Sequence, residues 1–359
     1  MTIVIAGGGT GGHLYPGVAV ARALMARVPE ARVSFAGTAK GLEARVVPQE
    51  GFELDVIRSA GLKGKSFNAL LRGIATLPAG LLDAWRLLSR RRPHVVLGVG
   101  GYSSGPEVLL AALRGMATMV LEQNAVPGFT NRRLAPFVRA AAVTYDGTLS
   151  YFRGRGFVAG NPVRPEFVRA ADGATDVPHP PRVLTLGGSQ GSHAINVAMV
   201  AAAPELARRC PHIEIVHQTG ARDQAWVREQ YAAAGIPARV VDFLDAVARE
   251  MTQADVVISR AGATTLAELS ALGRPAVLIP LPTATDDHQR KNAQALADGH
   301  AARLVEQKSL EGGPAPLIDA VADLLTNSAA RAQMAAAIHR FARPDAAARI
   351  VSRLLELAA

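Results

Sequence analysis

The chain has 359 residues, of which 49% are hydrophobic and 5% aromatic, with 34 glycines and a formal net charge of +9 at pH 7. It is longer than the roughly 250–300 residues at which single cores stop growing, so two domains are expected, and its apolar fraction excludes a disordered chain. The single cysteine, Cys210, excludes an internal disulfide and a multi-cysteine zinc site. The basic balance predicts an anionic partner. No aromatic-rich basic motif, zinc-finger or helix-turn-helix spacing accompanies the arginines, so nucleic acid is not expected.

Residues 1–6 open as a buried-strand pattern with no basic leader, so no signal peptide is expected. Strand-like runs at 3–6, 33–36, 95–99, 118–121 and 140–144 alternate with helical Ala/Leu/Arg segments. Such alternation predicts βαβ units and a parallel sheet whose ligands sit beyond the strand carboxyl ends. The apolar stretch near 108–121 is broken by Arg114 and falls short of the roughly 18 residues that a membrane span requires. A polar, Pro-rich segment at 172–181 reads as a linker, placing a boundary near 165–181. Beyond it the opening pattern returns: strand 182–186, a glycine turn at 187–191 and a helix from 194. Further strands are expected at 214–218, 238–241, 256–259, 276–279 and 301–305. The predicted fold class is α/β, with two Rossmann-like parallel-sheet domains facing across a cleft. The first covers 1–164, with a C-terminal helix at about 342–359 packing back, and the second covers 165–341.

Gly7, Gly9 and Gly12 satisfy G-x-G-x-x-G between a strand and a helix, where glycines let backbone N–H groups approach a ligand. A dinucleotide site also needs an acid ending the second strand. Residues 32–38 supply none, and the next acid is Glu43, so that reading is disfavoured. The turn at 187–191 lacks the lysine of a Walker-type loop, while Ser189 is placed to donate to a phosphate. A second helix start at Gly262–Thr265 offers N–H groups and a positive dipole end to a diphosphate without a metal. An ordinary capped helix is the alternative. Glu268 is either a ribose acceptor or a dipole-favoured acid, and Gln289 suits sugar hydroxyls because an amide both donates and accepts.

In the first half, loops at 100–106 and 122–128 join 7–13 at one sheet edge, which makes Gly101, Tyr102, Ser103, Ser104 and Gly105 acceptor-loop candidates. His13 is the sole histidine in these loops and a candidate general base, with a structural histidine as the alternative. No Asp-x-Asp or H-E-x-x-H spacing occurs, so no metal or other cofactor is expected. Segments 61–72 and 77–92 mix apolar and basic residues as an interface to an anionic membrane does. Solvated arginines on packed helices are the alternative.

Seven motifs then occur in order: G-G-T-G-G-H at 8–13, G-G-Y-x-S-G-P at 100–106, E-Q-N at 122–124, G-N-P-V-R at 160–164, G-G-S-Q-G at 187–191, A-G-A-x-T-x-x-E at 261–268 and D-x-x-Q-x-x-N-A at 286–293. Spanning nearly the whole chain, they resemble the MurG family, the family-28 GT-B glycosyltransferases of bacterial peptidoglycan synthesis. The resemblance implies inverting transfer of GlcNAc from UDP-GlcNAc to the C4 hydroxyl of the muramoyl sugar of lipid I (undecaprenyl-pyrophosphoryl-MurNAc-pentapeptide), giving lipid II. It implies that Ser189 and the backbone of Ala263, Thr264, Thr265 and Leu266, with Ala267 beside them, hold the diphosphate and Glu268 the ribose. Arg164 and Leu244 would meet the uridine end, Gln289 and Asn124 the GlcNAc, and Thr10, Gly11 and Gly12 would close over the donor. It implies a peripheral protein on the cytoplasmic face of the inner membrane, with cell-wall and division proteins as partners. One departure is visible: the position before E-Q-N is often His in the family and is Leu121 here, which moves the base role towards His13. Another UDP-sugar enzyme of this fold, such as an epimerase or a lipid glycosyltransferase, and a non-catalytic nucleotide-sugar-binding scaffold remain alternatives.

Overall fold

The computed structural model describes all residues except 40, 59–66, 173–178 and 189, and leaves out the side chains of 67–77 and 172. The expected linker therefore lies mostly outside the described residues. The chain forms two compact units, Met1–Arg164 with Arg343–Ala359, and Pro165–Ala342.

The first unit is built on seven strands: β1 (Thr2–Gly7), β2 (Arg32–Gly37), β3 (Glu53–Val56), β4 (Val95–Gly100), β5 (Ala117–Glu122), β6 (Ala140–Val143) and β7 (Gly156–Val158). They form one sheet in the order β3-β2-β1-β4-β5-β6-β7, with every pairing parallel. Its helices are α1 (Gly11–Arg27), α2 (Glu43–Gln49), α3 (Phe67–Arg91), α4 (Gly105–Leu113) and α5 (Phe129–Leu134). Alternate residues along a strand point to opposite faces, and the central strands are apolar on both. Ile3, Ile5, Leu97, Val99 and Met119 form one core with Leu14, Val18 and Leu24 of α1. Val4, Ala6, Val96 and Val120 form the other with Leu87, Leu88 and Val108. A parallel sheet covered on both faces needs this near-continuous hydrophobic reading.

The second unit begins with α6 (Pro165–Asp172), which packs on the segments Val247–Gln253 and Ala263–Leu272, so the chain enters this unit upstream of the Pro-rich stretch. Its strands are β8 (Arg182–Leu186), β9 (Glu214–Gln218), β10 (Ala238–Val241), β11 (Val256–Ser259), β12 (Ala276–Leu278) and β13 (Arg303–Leu304). They are again all parallel, in the order β10-β9-β8-β11-β12-β13. The helices are α7 (His193–Arg209), α8 (Gln224–Ala233), α9 (Val247–Gln253), α10 (Ala263–Leu272), α11 (His288–Asp298), α12 (Ala315–Thr326) and α13 (Ser328–His339). A last helix, α14 (Ala346–Ala358), returns to the first unit, where it packs on α1 and buries Ile350, Val351 and Leu354.

Two strands were not expected, β3 and β7, and both are sheet edges. Edge strands carry charge and are short because an apolar edge invites mispairing. In β3, Glu53 and Asp55 interrupt the apolar run, and Asp55 accepts from Arg91 Nε at 2.9 Å. In β7 only three residues pair, all of them half-buried.

Candidate active site

In each sheet the strand order reverses beside the first strand of its unit, between β1 and β4 and between β8 and β11. At such a switch point neighbouring loops diverge and leave a crevice beyond the carboxyl ends. The glycine turns after β1 and β4 flank the first reversal, and the segments after β8 and β11 flank the second.

At the first edge, Gly7 and Gly8 pack against Gly100 and Gly101 backbone to backbone. A Cβ on Gly101 would come within 2.7 Å of the Gly8 carbonyl oxygen. Thr10 is the N-cap of α1, its carbonyl accepting from His13 N at 3.2 Å and Leu14 N at 3.1 Å, and Gly11, Gly12 and His13 form the first turn. His13 is half-buried, with Nδ1 3.3 Å from Gln123 Oε1, while Gln123 Nε2 donates to the Val99 carbonyl at 2.8 Å. A carbonyl only accepts, so the amide nitrogen of Gln123 must face Val99 and its oxygen must face His13. Nδ1 therefore carries the proton, and Nε2 is the basic nitrogen of the neutral ring. Sequence reading reached His13 but not the residue that sets its tautomer.

The loop after β5 is organised by buried Glu122. One carboxylate oxygen accepts from Asn124 N and Nδ2 at 3.0 and 3.1 Å, and the other from Gly128 N and Asn131 Nδ2 at 3.0 and 2.9 Å. Asn124 thus turns its amide N–H towards the loop. In the 101–105 loop Tyr102 is exposed, but Ser103 and Ser104 are buried and the Ser104 hydroxyl donates to the Gly101 carbonyl at 3.0 Å. Both serines lie inside the turn, Ser104 bracing it, and within 101–105 only Gly101, Tyr102 and Gly105 stay accessible. Arg164 lies in the first unit, its guanidinium 5.4 Å from the centroid of the Tyr15 ring.

At the second edge, Gly187 N donates to Gln218 Oε1 at 3.1 Å, and Gln218 Nε2 donates to the carbonyls of Gly188 and Asp242 at 3.1 and 2.9 Å. The positive φ of Gly191 and its close approach to the Thr219 carbonyl admit no side chain there. Ser189, expected to donate to a phosphate, lies outside the described residues. Leu244 is buried, which leaves its backbone to act.

Helix α10 starts at an extended Gly262 cap with no acid in its first turn, so its positive dipole end, at Ala263, Thr264 and Thr265, carries no carboxylate of its own. Leu266 does not belong with them, because its N–H donates to the Gly262 carbonyl at 3.0 Å, and Ala267 follows inside the helix. Buried Glu268 sits in the second turn, beyond the first-turn range of the dipole. Gln289 accepts from Leu281 N at 3.0 Å, which commits its carbonyl half to the loop after β12.

Arg260 was missed. It follows β11 directly and is held by four neutral acceptors: the carbonyls of Ile279 and Pro280, both at 3.0 Å, Ser192 Oγ at 2.7 Å and Gln307 Oε1 at 2.8 Å. Burial pushes its guanidinium down to about 10, so it stays charged at neutral pH. A cation standing between a buried strand and an Ala-Gly helix start was the available signal.

Two parallel-sheet domains whose glycine-rich loops flank the switch points have the architecture of the GT-B fold. The match to known families agrees: residues 3–143 match the glycosyltransferase family 28 N-terminal domain and residues 182–350 its C-terminal domain. The chain belongs to glycosyltransferase family 28. Within it the chain groups with the MurG enzymes. It is 42% identical, over 99% of its length and 93% of the relative, to the UDP-N-acetylglucosamine--N-acetylmuramyl-(pentapeptide) pyrophosphoryl-undecaprenol N-acetylglucosamine transferase of Anaeromyxobacter sp. (strain K). The crystal structure of Acinetobacter baumannii MurG superposes with a TM-score of 0.81 at 28% identity, covering 99% of both chains. A UDP-GlcNAc 2-epimerase from Neisseria meningitidis shares the fold, with a TM-score of 0.71 at 14% identity over 99% of this chain and 100% of that one.

Proposed function

We propose that this protein transfers GlcNAc from UDP-GlcNAc to the C4 hydroxyl of the muramoyl sugar of lipid I, giving lipid II and UDP. The observation that carries this reading is whole-length similarity, at 42% identity, to transferases named for that donor and acceptor. In the reaction His13 Nε2 takes the C4 hydroxyl proton as the oxygen attacks the anomeric carbon. The C1–O4 bond forms, the bond from C1 to the β-phosphate oxygen breaks, and the electron pair leaves on UDP with inversion. The first-turn N–H groups of α10 and the nearby Arg260 cation suit the developing diphosphate charge, which supports leaving-group stabilisation without a metal. Glu268 and Gln289 would hold ribose and GlcNAc. The test is turnover with UDP-GlcNAc and a soluble lipid I analogue in excess EDTA. Lipid II analogue and UDP should form in equal amounts. Free sugar with UDP would indicate epimerase-type chemistry, and a strict Mg²⁺ requirement would overturn the leaving-group account.

The lipid-linked acceptor requires contact with a membrane, and among the described residues no helix is long and apolar enough to cross one. Leu81, Leu82 and Trp85 of α3 and Leu113 of α4 are exposed, and Arg114 lies 4.4 Å over the Trp85 ring. An apolar cluster bordered by arginines supports peripheral binding to an anionic leaflet, the inner face of the cell membrane, where cell-wall and division proteins would be its neighbours. The basic segment 61–72 lies largely outside the described residues. Co-sedimentation with vesicles should increase with anionic lipid and fall with salt, and Leu82→Glu with Trp85→Glu should weaken it. Indifference to lipid charge would remove the membrane claim.

A further inference from the structure

Glu43 follows β2 and opens α2, and its side chain is almost wholly buried. Its carboxylate does not face a ligand. One oxygen accepts from Gly9 N at 2.8 Å, and the other accepts from Thr38 N and Thr38 Oγ1, both at 2.9 Å. Three glycines make the room: a Cβ on Gly8 would lie 2.7 Å from Oε2, and one on Gly37 or Gly41 would run into the Glu43 side chain. Burial by itself raises the carboxyl pKa, yet the hydrogen bonds from Gly9 and Thr38 outweigh it and hold the group below its ordinary range. The carboxylate is therefore an anion at neutral pH seated on the glycine turn, at an N–H that a phosphate takes in a dinucleotide-binding turn.

We infer that Glu43 is a positioning residue for glycosyl transfer: its carboxylate anchors the Gly8-Gly9-Thr10 turn and thereby places His13 against Gln123. Gly9 precedes the Thr10 cap, the Thr10 carbonyl receives the His13 backbone N–H, and Gln123 receives the ring, so His13 is held at its backbone and at its side chain. Releasing the Gly9 N–H frees the first of these holds and leaves the second, which lets the ring drift from the geometry that a proton transfer needs. Because the anchor is resident, the turn serves to aim a base rather than to seat a nucleotide phosphate. This rests on the reading of His13 as the base.

The test uses the full-length enzyme with three substitutions. Glu43→Gln keeps shape but sets a donor against either Gly9 N–H or Thr38 N–H, whichever way the amide turns. Gly41→Ala displaces the same carboxylate by crowding. Thr38→Val removes only the hydroxyl donor and serves if the other two fail to fold, as judged by cooperative thermal unfolding. The expected result is a fall in kcat of about tenfold to a hundredfold for Glu43→Gln and Gly41→Ala, a smaller fall for Thr38→Val, and UDP-GlcNAc affinity within about twofold of wild type throughout. The double variant of Gly41 and Glu43 should be no slower than the slower single, because both act through one carboxylate. Additive losses, donor affinity falling in step with kcat, or unchanged kcat in the folded variants would overturn the inference. Absence of turnover in the wild type would instead defeat the functional reading, and a fully active His13→Ala would defeat the base assignment.

Discussion

The two glycine turns, at 7–13 and 187–193, are written in nearly the same letters, and each ends in a histidine that enters a helix. Their supports are reversed. The first turn is anchored by a charged carboxylate, Glu43, and its histidine faces a neutral amide, Gln123. The second is anchored by a neutral amide, Gln218, and its histidine faces a carboxylate, with His193 Nδ1 2.8 Å from Asp223 Oδ2. Burial would raise the Asp223 carboxyl, but His193 and Asn196 hold it below its ordinary range. The two ring partners differ in charge, an amide oxygen beside His13 and a carboxylate beside His193. The same local motif is thus held by a buried carboxylate in one half and by a buried amide in the other. The helix starts differ in the same sense. Helix α4 carries a buried acid, Glu107, in its first turn, and α10 carries none.

The comparison breaks most readily at the histidines. His13→Ala should lower turnover by about 10²–10⁴-fold, the usual contribution of a general base, with donor affinity retained. Equal losses for His13→Ala and His193→Ala in steady-state kinetics would erase the distinction between the two turns.

The next largest effect concerns Glu107, whose two carboxyl oxygens have no hydrogen-bond partner and whose pKa burial pushes up to about 8. Folded, the group stays protonated up to that pH, while the unfolded chain ionises near 4.5. The unfolded state therefore binds fewer protons between these values, so stability is undiminished below about 4.5, declines as pH rises towards about 8, and levels off above. Glu107→Gln removes this slope and should stabilise the protein at pH 9 by on the order of a few kcal/mol, with little change at pH 4. Denaturant unfolding at the two pH values measures it. Equal shifts at both would mean that Glu107 is not neutral in the folded protein.

The smallest effect sharpens the contrast from the other side. His193→Ala should leave turnover within about threefold and cost about 1 kcal/mol or less, because the histidine is largely exposed. That cost should vanish on acidification, since a carboxyl held below its ordinary range loses its stabilisation as pH falls through the folded value. Thermal unfolding followed from pH 7 down through the acid range checks this.

The central strands, the two glycine turns and the family were legible from residue pattern alone. Buried parallel strands must be continuously apolar, and a turn that presents backbone N–H groups at a helix start needs glycine; both are local demands that leave local marks. The edge strands β3 and β7 left weaker marks, because an edge is half solvated and tolerates charge. The pairings within the site left none. Glu43 meets Gly9 across 34 residues, Gln123 meets His13 across 110, and Arg260 meets Ser192 across 68. The sequence by itself determined which residue types stand at the carboxyl edges of two parallel sheets. Only the tertiary structure decided which glycine turn receives a carboxylate of its own and which side chain each histidine ring meets. Those outcomes depend on hydrogen bonds between strand ends brought side by side by the strand order, and no local pattern encodes them.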